Sequence, residues 1–138
     1  MEKKLDWWDN TPDNVEVTID TTASVLNIMH IPDIVKWKLD KNYNKINKYP
    51  TNRGLIGIHF LHSPDILNVT VLPKEIKRIV NQKYLELFDY LGQDVVDKYK
   101  KFHALLDFMN SKDNSHMWPR TLQYLDNMDS IRQTNWKN

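Results

Sequence analysis

From Val15 to Thr22 apolar and polar residues alternate: Val15, Val17 and Ile19 against Glu16, Thr18 and Asp20, followed by Thr21-Thr22. A period of two with β-branched residues predicts a strand over Val15 to Thr22. Ahead of it, Trp7-Trp8 stands where a helix could end, and Pro12-Asp13-Asn14 closes whatever precedes. Ser24 to Asn27 is a short polar connection. Pro32 and Asp33 then suit the first turn of a helix, where a missing N–H costs little and a carboxylate meets the positive helix end. Ile34, Val35, Trp37 and Lys38 carry its apolar face to about Lys41. Asn42 to Arg53, rich in Asn and containing Pro50, predicts a loop. Leu55 to Leu61 is nearly continuous in apolar residues, the pattern of a strand covered on both faces of a parallel sheet.

Beyond the His62-Ser63-Pro64-Asp65 turn, Asn68 to Leu72 predicts a third short strand, and Pro73-Lys74-Glu75 opens a helix. Its stripe is Ile76, Ile79, Val80, Tyr84, Leu87, Phe88 and Leu91, and Gly92 stops it. Val95, Tyr99, Phe102, Leu106 and Met109 predict a second helix; Trp118-Pro119 begins a third, with Leu122, Leu125, Met128 and Ile131 on one face. The expected fold class is α/β: a partial parallel (β/α) half-barrel of two or three strands over residues 1–72, followed by a C-terminal three-helix extension over 73–138. Two or three parallel strands are a poor sheet alone, because their faces and edges need cover. The layout therefore reads as the second half of something larger.

Composition narrows the chemistry. With 41% hydrophobic and 11% aromatic residues, the 138-residue chain has the makings of one ordinary core. Lys plus Arg is 19 against 18 Asp plus Glu, a net charge of +1 without a basic block, so nucleic acid is not an expected partner. No run approaches a membrane span and the start lacks the apolar core of a signal peptide, so no membrane partner and a cytoplasmic location are expected. The count of 0 Cys excludes, within these residues, disulfides, thiolate metal sites and a cysteine nucleophile.

Ligands of parallel α/β proteins bind at the carboxyl ends of strands, which places Thr22, Ser24 and Asn27 to hydrogen-bond a bound molecule. The same residue types commonly satisfy loop backbone instead. His62 ends the second strand on the same rim, either lining that pocket or capping the turn. His59 and His62, three apart on a strand, point to opposite faces and make no metal pair; no metal ligand and no catalytic residue is assigned. Trp7-Trp8 either serves a partner surface or packs on the sheet. Lys98, Lys100, Lys101 and Lys112 form a modest positive, solvated face.

The run Val15-Glu16-Val17-Thr18-Ile19-Asp20-Thr21-Thr22-Ala23-Ser24-Val25-Leu26-Asn27, followed by Ile31-Pro32-Asp33-Ile34-Val35-Lys36-Trp37, resembles a late strand and helix of radical S-adenosylmethionine (SAM) proteins with a twitch-type C-terminal region. His62-Ser63-Pro64-Asp65-Ile66-Leu67-Asn68-Val69 and Val71-Leu72-Pro73-Lys74-Glu75-Ile76-Lys77 are similar to the next strand, turn and helix start of that family. Leu125-Asp126-Asn127-Met128-Asp129-Ser130-Ile131-Arg132 is similar to its C-terminal helix. The resemblance runs from about residue 13 to residue 136. It implies a partial (β/α)₆ barrel, a four-iron four-sulfur cluster held by a CxxxCxxC loop after the first strand, and reductive cleavage of SAM to a 5′-deoxyadenosyl radical. Thr22, Ser24, Asn27 and His62 would then face SAM.

The cysteine-free chain departs from that pattern, so the cluster is expected only through a partner polypeptide. The leading expectation is a C-terminal fragment or split half of a radical SAM protein that supplies the far wall of the SAM and substrate pocket and is inactive alone. The partner would be a separately encoded N-terminal half. The alternative is a non-enzymatic interaction module that forms a homodimer through its sheet edge.

Overall fold

The computed structural model describes residues 2–46 and 55–135. Six α-helices surround a two-stranded parallel sheet: α1 (Glu2–Asp9), β1 (Asp20–Ala23), α2 (Ile31–Asp40), β2 (Gly57–Phe60), α3 (Lys74–Leu91), α4 (Gln93–Lys98), α5 (Lys101–Asn110) and α6 (Trp118–Arg132). The protein is thus mixed α/β and mostly helical. The loop expected over Asn42 to Arg53 falls partly outside the described residues.

The strands are shorter than the alternation predicts. Asp20 pairs with Gly57, Thr21 with Ile58, Thr22 with His59 and Ala23 with Phe60. Gly57 N donates to Ile19 O at 2.9 Å and Leu61 N to Ala23 O at 3.2 Å, which closes the ladder at both ends. Val15 to Thr18 have the composition of a strand but no ladder partner among the described residues, and pairing rather than propensity decides strand extent. Of the Leu55 to Leu61 run only Gly57–Phe60 is strand, and there Ile58 is buried while His59 is exposed; Leu55 and Ile56, just ahead of it, are both buried. A Cβ on Gly57 would lie 1.5 Å from Asp20 Oδ1, so any side chain there requires the exposed Asp20 carboxylate to swing aside.

Asn68 to Leu72 is not a strand. Val69–Val71 forms a 3₁₀ turn, because the Asn68 side chain accepts from Thr70 N at 2.9 Å and donates to Leu61 O at 2.8 Å. Such local side-chain bonding competes with a sheet ladder. Val69 and Val71 are nevertheless fully buried.

The second expected helix is broken in two. Tyr99, at φ −111° and ψ 68°, interrupts the period between α4 and α5. The phase shifts across that break, so Val96, Phe102, Leu105 and Met109 are buried, while Val95, Tyr99 and Leu106 pack partly buried against them. Four helices therefore follow residue 73. Gly92, at φ +80°, links α3 to α4 in a conformation that disfavours any side chain.

One core joins the crossover to the helices. Ala23, Ile28, Ile31, Val35 and Ile58 pack in the same cluster as Val80, Tyr84, Leu87, Phe102, Leu105 and Met109. Each buried Val, Leu, Ile, Phe or Met side chain among them contributes about 1.5–3 kcal/mol. Tyr84 reaches across this junction: its hydroxyl donates to Ile28 O at 3.2 Å, and its ring meets Phe102 edge-on at 6.2 Å. Burial pushes the Tyr84 hydroxyl well above the usual tyrosine range. On the surface, Lys83 bonds Asp33 at 2.6 Å and Tyr90 bonds Asp40 at 3.0 Å, fastening α3 to α2. α6 docks through Thr121, whose hydroxyl donates to Ile66 O at 2.6 Å.

α1 is held by a carboxylate at each end: Glu2 Oε1 accepts from Trp37 Nε1 at 3.1 Å and pairs with Lys41 Nζ at 3.2 Å, and Asp9 binds backbone at the other end. Asp9 Oδ1 accepts from Lys45 N at 2.7 Å and Ile46 N at 2.9 Å, and its Oδ2 accepts from Asn44 N at 2.9 Å. Burial raises the Asp9 pKa, but these backbone donors outweigh it and hold the carboxyl below its ordinary value.

Candidate functional site

The carboxyl rim of the sheet collects the residues singled out by sequence. Asn27 folds the connection after β1 into a closed turn. Its Oδ1 accepts from Ser24 N at 2.9 Å and from Ser24 Oγ at 3.4 Å. Its Nδ2 donates to Thr22 O at 3.0 Å and to Thr21 Oγ1 at 3.3 Å. Ser24 is buried, and its Oγ also accepts from Leu26 N at 3.3 Å. Thr22 is exposed.

His62 follows Leu61, the residue bonded to Ala23 O, and so leaves the sheet beside this turn. It is exposed, with its ring edge-on to Phe108 at 5.3 Å, and Phe108 in turn stacks on Phe60 at 5.1 Å. The structure thus brings Thr22, Ser24 and Asn27 into one hydrogen-bonded unit and sets His62 on the same rim against an aromatic wall. Thr22 and His62 present side chains outward, whereas the Asn27 amide and the Ser24 hydroxyl serve the turn itself. For a four-iron cluster the residues present do not fit, because there is no cysteine to ligate iron. Among the described residues no group of three or more His, Asp or Glu is arranged to hold a metal ion.

Two cavities lie elsewhere on the surface, the first reaching the turn through Thr21. One, of about 580 Å³, sits between α1, β1 and α2, where Ile19, Ile34, Trp37 and Ile56 meet Asp20, Thr21, His30 and Asp33. Its acids are partly occupied: Asp33 Oδ2 bonds Lys83 and lies 3.8 Å from His30 Nδ1. The other, of about 440 Å³, lies between the first turns of α3 and the segment after α5. Lys74, Lys77, Arg78 and Lys112 line it together with Asn81, Asn110 and Asp113.

No family model, curated protein or solved structure matches this chain. The functional reading therefore rests on the geometry and on the sequence patterns themselves.

Two buried lysines were missed by the sequence reading as chemically distinct groups. Lys38 occupies the inward phase of α2 with Ile31 and Val35, and its ammonium donates to Leu55 O. Burial pushes its pKa down to about 8. Lys77 occupies the inward phase of α3 with Val80, Tyr84 and Leu87, and donates to Lys112 O at 2.8 Å. Burial lowers its pKa also, against the opposing pull of Asp113. The signal was present in the sequence: each lysine falls on an apolar stripe at a spacing of three or four.

Proposed function

We propose that these 138 residues supply late strands and a helical cover of a radical SAM barrel, with the iron–sulfur cluster carried by a partner polypeptide. The observation that carries the reading is the sheet. β1 and β2 form a parallel pair through the α2 crossover, and each has one side without a further strand among the described residues. A two-stranded parallel sheet is far below the usual strand number of an independent α/β unit, and an added strand would satisfy its edge. The resemblance across the Val15, His62 and Leu125 segments adds the family.

In this reading the chain forms the far wall of the SAM and substrate pocket. Thr22 and His62 reach SAM directly, while Ser24 and Asn27 set the backbone of the turn that approaches it. The partner's cluster would supply the electron for SAM cleavage; this chain would bind, orient and shield. The chain alone is inactive.

A second reading has its own support. Trp7 and Trp8 are 63% and 43% exposed and meet edge-on at 4.7 Å, an aromatic surface of the kind enriched at interfaces. Joined to the open sheet edge, it favours a non-enzymatic module that pairs with a second copy.

Calorimetric titration with SAM separates the two readings. The chain is titrated alone and then mixed with the CxxxCxxC-bearing amino-terminal half of a twitch-type radical SAM protein, its cluster reconstituted without oxygen. The first reading expects heat from SAM that exceeds that of the amino-terminal half alone, lost in Thr22→Val with His62→Ala. An unchanged heat together with a concentration-dependent dimer in the ultracentrifuge overturns it in favour of the second.

A further inference from the structure

We propose that the cleft between the start of α3 and the segment after α5 is a binding site for a small phosphate-bearing molecule. The site is separate from the sheet rim and independent of the radical SAM reading. Four cationic side chains, those of Lys74, Lys77, Arg78 and Lys112, face a cavity of about 440 Å³ that contains a single carboxylate, Asp113. The whole chain carries a net charge of only +1, so this is a local concentration of charge and not a reflection of overall composition.

Asp113 does little to neutralise it. Its Oδ1 accepts from Ser115 N at 3.0 Å, and hydrogen bonds from the Ser115 side chain and backbone hold its carboxyl below the ordinary value, ahead of the smaller effect of Lys77. Among the described residues no carboxylate lies within ion-pair distance of the four cations.

Lys77 is the residue that makes the cleft more than a set of surface charges. It is 9% exposed, and its one hydrogen bond goes to a backbone carbonyl, that of Lys112. An ammonium has three donors, so two remain for a ligand. A buried ammonium whose one anionic neighbour, Asp113, is exposed and engaged by Ser115 gains from an incoming oxyanion. Arg78 adds a planar fork suited to two oxygens at once, and Asn81 and Asn110, bonded to each other at 3.3 Å, add polar groups at the wall. Four cations against one carboxylate suit a multiply charged phosphate better than a singly charged carboxylate. The volume admits a molecule larger than the ion itself.

The test is titration of the full chain with inorganic pyrophosphate at low ionic strength, with citrate as a carboxylate of comparable charge. The expected result is one pyrophosphate per chain, with citrate weaker. The exposed pair Arg78→Gln with Lys112→Gln should weaken pyrophosphate at least about tenfold. Lys3→Gln with Lys4→Gln, which removes the same charge from α1, should leave it unchanged. Circular dichroism of both double variants confirms the fold. No binding, citrate binding as tight as pyrophosphate, or equal weakening by the two double variants would overturn the proposal.

Discussion

The crossover and the helical half each bury one lysine, and they do so with opposite consequences. Lys38, 2% exposed, is turned inward from α2 and donates to Leu55 O, tying the helix to the chain just ahead of β2. Lys77, 9% exposed, is turned inward from α3 but opens onto the cationic cleft. The same residue type at the same helical phase is thus a structural strut in one region and a candidate ligand group in the other. What separates them is the neighbourhood: Ile31, Val35 and Leu55 around the first, Arg78 and Lys112 beside the second. Burial of a charged group does not by itself mark a site; a cavity with spare donors does.

The largest effect should come from the packing that both regions share. Phe102→Ala, at a side chain 2% exposed in the joint core, should cost about 3–5 kcal/mol in urea unfolding. One cooperative transition followed by probes in both halves would show the regions unfolding together; two separate transitions would break the comparison at its root. Next comes Asn27→Ala. It removes the side chain that bonds Ser24, Thr21 and Thr22, and the expected loss is about 1–3 kcal/mol, with faster amide exchange confined to residues 21–28.

The two lysines then separate by pH. The Lys38 pKa is about 8 when folded, and the unfolded value is the ordinary 10.5. Over that interval the unfolded chain binds more protons, so stability rises as pH rises from about 8, and the gain is lost again as pH falls through the folded value. Tyr84 acts oppositely: its folded pKa is raised, so its contribution is intact below pH 10 and falls away above it. Unfolding between pH 8 and 9.5 should therefore show an upward slope in the wild type and a flatter one in Lys38→Met. With pyrophosphate bound, the slope contributed by Lys77 should diminish and that of Lys38 should not. The smallest effect is expected at the sheet. Gly57→Ala meets only the end of an exposed Asp20 side chain, which can swing aside, so the change should stay within about 0.5 kcal/mol.

Much of the helical layout was legible before any coordinates. Pro32, Pro73 and Pro119 mark the starts of α2, α3 and α6, because proline tolerates the first turn and little else of a helix. The parallel pairing of the segments around Thr22 and Ile58 followed from a strand, helix, strand order. Three features were not legible. The extent of β1 depends on a partner strand four residues long, which no local pattern encodes. The Asn68 side chain converts a β-branched run into a 3₁₀ turn through bonds to residues near and distant. The interruption at Tyr99 has no glycine or proline to announce it. At the rim, the placement of Ser24, Asn27 and His62 beyond the strand ends was readable, whereas Thr22 lies within β1, paired with His59, and the closed bonding of Asn27 was not readable. The cleft depends on residues 35 apart in sequence, Lys77 and Lys112, brought together by tertiary packing alone.

The most direct measurement of the central claim, that the two-stranded sheet is completed from outside these residues, is amide hydrogen exchange with and without the cluster-bearing amino-terminal half. Added protection at Asp20–Ala23 or Gly57–Phe60, with the backbone of α3 to α6 unchanged, is the predicted result. Identical exchange in the presence and absence of that half, at concentrations where SAM binds it, would contradict the account.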